Sequence, residues 1–178
     1  MKSKSSIFVL LVFFFPAMAS ATLDTQIWYD AHEITPAIDD SPAKWQYTYD
    51  MLNIGLDEPI QQFTIWFDYG KYNNLVVETP SPLSENWDET VWQPEPLLQD
   101  DGAYDARALG ERIKQGEKVS GFIVTFDWLA DGEPGKQWYE IVDPETFETI
   151  DSGWTIPEPT TLVLLGIGAI ALLKKRKS

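Results

Sequence analysis

Period-two alternation of large apolar side chains is the feature that most constrains the fold of this 178-residue chain. Residues 45–51, 63–69 and 122–128 each carry such a side chain at every second position. That spacing is typical of β-strands with one buried face. The side chains expected to point inward are Trp45, Tyr47, Tyr49 and Met51 in the first segment, Phe63, Ile65, Phe67 and Tyr69 in the second, and Phe122, Val124, Phe126 and Trp128 in the third.

Further segments between proline and glycine clusters extend this pattern. Weaker strands are predicted at residues 26–29, 74–78, 87–92, 138–142 and 147–150. Residues 103–114 are expected to form one short helix or an irregular connection, and 138–142 to pair with 122–128 as a hairpin. Short, regularly spaced strands with little helical periodicity predict an all-β fold, a two-sheet β-sandwich, of either immunoglobulin-like or jelly-roll arrangement.

The first 21 residues have the organisation of a secretory signal peptide. Lys2 and Lys4 precede an apolar run at residues 7–15, and small residues follow. Ala19 and Ala21 each end a small-x-small site for signal peptidase. The apolar run is too short for a permanent anchor, since a span needs roughly 20 residues. The sequence therefore predicts that the domain at residues 22–154 is exported.

The C-terminal residues 155–178 have three parts. A motif of Pro157, Glu158 and Pro159 precedes an apolar segment at 160–173, predicted to be helical, and a basic end follows at Lys174, Lys175, Arg176 and Lys177. The apolar segment falls short of the roughly 20 residues of a full span, which is typical of a removable anchor. Terminal cations favour the cytoplasmic side, so the domain before them is expected to face outward.

The order and spacing of these three parts resemble the PEP-CTERM sorting domain of Gram-negative bacteria. The resemblance implies that a membrane-embedded exosortase cuts near the Pro-Glu-Pro motif, after a transient stay in the inner membrane. It further implies a destination at the cell surface or in the extracellular matrix, and a link with exopolysaccharide and biofilm production. It names no activity for the domain at residues 22–154.

The charge of that domain restricts its partners. Between the signal peptide and the tail lie seven basic and 27 acidic residues, a net charge of −20. Nucleic acid is excluded as a partner, because phosphate binding needs a basic face. The charge suits a solvated extracellular domain, or one that takes divalent cations. The chain has no cysteine, which excludes a disulfide framework.

Two kinds of binding site are open from the sequence. Asp100, Asp101 and Asp105 surround a glycine turn and offer the oxygen ligands that calcium prefers, although Asx-turn chemistry explains the same residues without a metal. No other cofactor is expected, because a single histidine and no cysteine give no transition-metal cluster.

The second kind of site would stack sugar rings on exposed aromatic side chains. The candidates are Trp66, on the polar side of its strand, followed by Trp87 and Trp92 in the proline-rich region. The alternative is that a loop or the other sheet covers this face and buries Trp66.

These observations favour a non-enzymatic envelope or matrix protein. The alternative is a carbohydrate-binding module at the cell surface, with exopolysaccharide as its partner. A glycoside hydrolase is less favoured, because nothing singles out an acid in an apolar pocket, where the pKa of a general acid is raised. No Gly-x-Ser-x-Gly motif is present to support a serine hydrolase.

Overall fold

Ten strands form two five-stranded sheets in the computed structural model, which describes residues 24–39 and 41–158. In spatial order, the first sheet contains β10 (Ile156–Pro157), β1 (Thr25–Thr35), β2 (Ala43–Asn53), β7 (Lys118–Trp128) and β4 (Tyr72–Val77). The second sheet contains β5 (Trp87–Trp92), β6 (Gly102–Ala108), β3 (Gln62–Phe67), β8 (Trp138–Val142) and β9 (Thr149–Trp154). A one-turn helix, α1 (Leu83–Asn86), precedes β5.

The two sheets face each other across an aromatic core, so the predicted β-sandwich is confirmed. Tyr47 of β2 stacks on Phe126 of β7, with ring centroids 4.9 Å apart. Phe63 of β3 meets Phe122 of β7 edge to face at 5.1 Å, which joins the two sheets. Edge-to-face and offset contacts of this kind add to the free energy gained by burying the rings.

The inward-facing sets predicted from alternation are buried, with one exception. Tyr69 is only half-buried, because β3 ends at Phe67 and the chain turns before reaching it. Period-two patterning therefore identifies the buried face correctly wherever the residue lies inside a strand.

Two local predictions are wrong. Residues 102–108 are the strand β6, hydrogen-bonded between β5 and β3, rather than a helix or an irregular connection. The segments at 122–128 and 138–142 do not form a hairpin, because β7 belongs to the first sheet and β8 to the second. The chain between them crosses from one sheet to the other.

Thr155 and Ile156, the first two residues of the predicted C-terminal segment, are also part of the sandwich. Ile156 and Pro157 form β10, the one strand of the described residues that pairs in parallel, next to Trp28 and Tyr29 of β1. Within residues 24–39 and 41–158, no helix has the length and apolarity needed to cross a bilayer. The predicted signal peptide and apolar tail lie outside the described residues.

Candidate functional site

A row of tryptophans crosses the outer face of the second sheet. Trp92 of β5 and Trp66 of β3 both pair with Ala103 of β6, which lies between them. At the other edge, Trp138 of β8 pairs with Trp154 of β9. Directly paired residues share a face of the sheet. Extending the β3–β8 register one step beyond Ile65 and Tyr139 places Trp66 opposite Trp138. Trp92, Ala103, Trp66, Trp138 and Trp154 thus form one line across five strands, the tryptophan row.

Three members of the tryptophan row are well exposed. The exposed fraction is 53% for Trp92, 36% for Trp66 and 49% for Trp154. Ala103 is small and buried between Trp92 and Trp66, so no side chain rises between the two rings. Among the described residues, no loop or second sheet buries Trp66, in contrast to the alternative left open by the sequence.

Local contacts hold the rings of the tryptophan row in place. Trp66 donates a hydrogen bond from Nε1 to Oε2 of Glu140, at 3.2 Å. Trp138 and Trp154 meet edge to face, with ring centroids 5.4 Å apart and planes at 74°. The ammonium group of Lys136 lies 4.8 Å from the ring centroid of Trp154, a cation–π contact. The rings of Trp66, Trp138 and Trp154 are therefore held by contacts within the domain.

A row of polar side chains runs directly beside the tryptophan row. Its members, matched by strand register, are Thr90, Asp105, Thr64, Glu140 and Ser152. Thr64 donates a hydrogen bond to Asp105 at 2.8 Å, and the amide of Gln62 donates to both oxygens of the same carboxylate. The outer face thus places hydroxyl and carboxylate groups along one side of an aromatic strip.

A cleft of about 480 Å³ opens beside the tryptophan row, lined by Trp66 of the second sheet and by Tyr72 and Trp128 of the first. Its lining includes Trp66, Trp138, Trp154, Lys136, Asp101 and Asp68. Lys71 also lines it and forms an ion pair with Asp68, with 2.8 Å between nitrogen and oxygen. The hydrogen bond from Lys71 lowers the pKa of Asp68, so this carboxyl is ionised well below neutral pH. The cleft therefore combines apolar ring surface with fixed charges.

The three predicted calcium ligands are held in different ways. Asp105 is buried in β6, and its oxygens already accept hydrogen bonds from Thr64 and Gln62. Asp101 is exposed and accepts a hydrogen bond from the backbone nitrogen of Tyr69 at 3.0 Å. Asp100 is exposed, and its backbone pairs with Glu95. Across residues 24–39 and 41–158, no group of three or more acidic or histidine side chains is arranged to hold a metal ion.

The three predicted sugar-stacking residues do not share one surface in the structure. Trp66 and Trp92 lie on the outer face of the second sheet, in one row. Trp87 is 4% exposed and packs in the core against Phe122 at 5.1 Å, so its assignment as a stacking residue was wrong. Trp87 and Trp92 are five residues apart on one strand, an odd interval that places them on opposite faces.

Sequence reasoning missed Trp138 and Trp154, the other half of the tryptophan row. The sequence does contain a signal for Trp138. Tyr139 and Ile141 are the inward residues of β8, so period-two alternation places Trp138 on the outer face. Trp154 was missed because β9 continues past residue 150, where the predicted strand ended. Register between strands, which the sequence does not display, is what brings these residues into line with Trp66.

The predicted processing residues divide between described and undescribed parts of the chain. Ala19, Ala21, Pro159, Lys174, Lys175, Arg176 and Lys177 lie outside the described residues. Pro157 lies in β10, and the backbone nitrogen of Glu158 donates to the carbonyl oxygen of Tyr29 at 2.8 Å.

Residues 155–177 match the family model of the PEP-CTERM protein-sorting motif. The C-terminal segment of the chain therefore carries a PEP-CTERM sorting motif. This motif is the sorting signal for exosortase and marks an exported, sorted protein.

Comparison of the chain with solved structures finds β-sandwich modules. A cohesin module from a family 33 glycoside hydrolase of Clostridium perfringens ATCC13124 has 8% identity and a TM-score of 0.42, over 75% of this chain and 97% of that one. A family 3b carbohydrate-binding module from the biomass sensoring system of Clostridium clariflavum has 11% identity and a TM-score of 0.35, over 74% and 85%. With TM-scores below 0.5, neither likeness extends to a ligand or a partner. No curated protein matches the chain.

Proposed function

We propose that this PEP-CTERM protein is a non-catalytic protein of the cell surface or extracellular matrix, and that it binds a neutral polysaccharide through the tryptophan row. The observation that carries the proposal is the alignment of exposed Trp92, Trp66 and Trp154 across one sheet face. An aromatic strip left open to solvent on a soluble domain is typical of a binding surface.

The chemistry of the outer face fits a sugar chain. The flat, apolar face of a pyranose ring can cover an indole ring, and burying apolar surface on both partners favours association. Sugar hydroxyl groups need hydrogen-bond partners at the edge of the ring, and the neighbouring polar row supplies Thr90, Glu140 and Ser152. A glycan lying along the tryptophan row would meet both surfaces at once.

The charge of the domain favours one class of glycan. The region between signal peptide and tail has a net charge of −20, so a polyanionic chain would be repelled over most of the domain. Lys71 and Lys136 line the cleft, but Asp68, Asp101 and Asp131 line it as well. The net charge of the cleft lining is therefore not positive, and a neutral polysaccharide is favoured over a polyuronate.

The proposed route has three stages. Signal peptidase removes the signal peptide near Ala19 or Ala21, the apolar tail anchors the domain briefly in the inner membrane, and exosortase then processes the tail. The folded domain is thereby placed outside the inner membrane, where exopolysaccharide is exported and assembled. A role in the polysaccharide matrix or biofilm follows from this placement together with the tryptophan row.

The absence of catalysis is part of the proposal and is supported by the state of the cleft carboxylates. Hydrolysis of a glycosidic bond needs one carboxyl that stays protonated until it donates to the leaving group. Asp68 cannot supply that proton at neutral pH, because Lys71 lowers its pKa. Glu140, in the polar row beside the cleft, accepts a hydrogen bond from the indole nitrogen of Trp66. Release of new reducing ends from a bound glycan would contradict this part of the proposal.

Retention on columns of neutral polysaccharide tests binding directly. The full chain is expected to be retained on a neutral glucan and to pass through a polyuronate column. Trp66→Ala and Trp154→Ala should each weaken binding about tenfold, equivalent to ~1.4 kcal/mol. Trp28→Ala is the matched control, because Trp28 lies on β1 of the other sheet. Equal retention of all three variants would overturn the assignment of the tryptophan row.

A further inference from the structure

The first two residues of the sorting motif are part of the folded domain. Ile156 and Pro157 pair with Trp28 and Tyr29 of β1 as an added parallel strand. The backbone nitrogen of Glu158 then donates a 2.8 Å hydrogen bond to the carbonyl oxygen of Tyr29. Pro157 has no N–H to offer to a further strand, which suits its position on the edge of the sheet.

The residue before β10 is fixed even more firmly. Thr155 is 1% exposed, and its backbone nitrogen donates to the carbonyl oxygen of Gln137 at 2.8 Å. In return, the backbone nitrogen of Gln137 donates to the hydroxyl oxygen of Thr155 at 2.9 Å. Since Gln137 adjoins β8 of the second sheet and β10 belongs to the first, residues 155–158 are fastened to both sheets.

This arrangement restricts where a protease can act. A protease must reach the scissile peptide bond itself, so a bond whose own N–H or C=O group is paired within the folded domain must be released first. Releasing residues 155–158 would break the contacts with Tyr29 and Gln137 and expose the buried Thr155. The bonds up to Glu158 are therefore shielded in the folded domain.

We propose that the bond cut during sorting lies on the C-terminal side of Glu158, so that the mature protein keeps Pro157 and Glu158 as part of its first sheet. At the Glu158–Pro159 bond or a later one, the peptide bond breaks. Its carbonyl carbon bonds to the oxygen of water, or to a hydroxyl or amine of an acceptor, and the departing nitrogen takes a proton as the new amino terminus of the tail. The inference rests on the tail processing proposed above and is independent of glycan binding.

The test is the intact mass of the protein from the surface fraction of the producing cells, with sequencing of its C-terminal peptide. A C-terminus at Glu158, or between 158 and the end of the apolar segment, supports the proposal. A C-terminus at Pro157 or before it would overturn the proposal while leaving processing itself in place. An uncut tail would overturn both together.

Amide hydrogen exchange on the same isolated protein gives a second readout that does not depend on the specificity of the enzyme. The amides of Thr155 and Glu158, which donate hydrogen bonds to Gln137 and Tyr29, should exchange at least tenfold more slowly than those of the exposed turn at residues 131–133. Exchange as fast as in that turn would show that residues 155–158 are a free linker, and the proposed shielding would be wrong.

Discussion

Trp87 and Trp92 show at the scale of single residues how one strand serves both the core and the surface. Both lie on β5, yet Trp87 packs against Phe63 and Phe122 whereas Trp92 is 53% exposed. Trp87→Ala should lower the free energy of unfolding by about 3–5 kcal/mol, because it leaves a large core cavity. Trp92→Ala should change it by about 0.5 kcal/mol or less. Urea denaturation measures both, and equal losses would contradict the assigned faces.

Gly102 is a second residue whose identity the packing requires. A Cβ atom at this position would lie 2.6 Å from Cδ and 2.8 Å from the backbone nitrogen of Pro94, closer than real contacts allow. Gly102→Ala should therefore destabilise the protein by about 1–3 kcal/mol, the range for overpacked sites. Gly110→Ala is the control, since no atom lies within 4 Å of the added Cβ. A stability for Gly102→Ala that matches the control would refute this contact.

The sequence predicted the position of a residue well where the pattern of a single strand decides it, and poorly where the pairing between strands decides it. Tyr47, Phe63 and Phe126 were identified as core residues because alternation reveals a buried face directly. The partners of Trp66 in the tryptophan row were missed, because Trp138 and Trp154 join it only through strand register. A binding surface that spans several strands is not visible in the periodicity of any one of them.

At the scale of elements, β6 and β10 are the strands that the sequence concealed. The segment Gly102–Ala108 contains three alanines, which favour helix, but its position between β5 and β3 makes it a strand. β10 has only two residues and carries a proline, so local pattern gives no signal for it. In both cases tertiary hydrogen bonding overrides local propensity.

The anchoring of β10 makes a prediction about Thr155. Replacing its buried hydroxyl in Thr155→Val leaves the backbone nitrogen of Gln137 without an acceptor. The free energy of unfolding should fall by about 1–3 kcal/mol, the cost of an unsatisfied buried donor. Thr149→Val on β9 is the matched control, because Thr149 is exposed and should tolerate the change. Equal unfolding midpoints in urea would contradict the anchoring role of Thr155.

At the scale of the whole molecule, buried tyrosines tie stability to alkaline pH. Burial raises the pKa of Tyr47, Tyr49 and Tyr104, whose hydroxyl groups lie inside the sandwich. Below about pH 10, these groups are neutral in both folded and unfolded chains, so their contribution is constant. Above it, only the unfolded chain loses the protons readily, and stability falls as pH rises.

Alkaline titration measures this dependence. The urea midpoint should be nearly flat between about pH 7 and 9 with respect to these groups and fall steeply above about pH 10. Absorbance by tyrosinate from the buried residues should appear together with the loss of folded structure. Complete tyrosine ionisation in a chain that stays folded would show that these hydroxyl groups are open to solvent, contrary to the structure.

The first and last strands of the described chain are neighbours in the first sheet. β1 begins at Thr25 and β10 ends at Pro157, and the two strands pair side by side. The first sheet thus carries the connection to the sorting motif, whereas the tryptophan row lies on the outer face of the second sheet. Trp154 lines one pocket together with Ile156 and Pro157, so one end of the row lies beside the sorting motif. Trp92 lies at the opposite edge of the second sheet, so a domain held at its sorting motif would present that end of the row farther from the attachment.

The most direct test of this account is the affinity of the full chain for neutral oligosaccharides of increasing length, measured by isothermal titration calorimetry. The tryptophan row crosses five strands, about 19 Å at the usual strand spacing of ~4.8 Å. Affinity should rise with oligosaccharide length until the sugar covers that distance and then level off. Trp66→Ala should weaken the long ligands about tenfold or more, while Trp28→Ala should leave them unchanged. Affinity that does not depend on length, or that survives the loss of both Trp66 and Trp154, would contradict glycan binding by the tryptophan row.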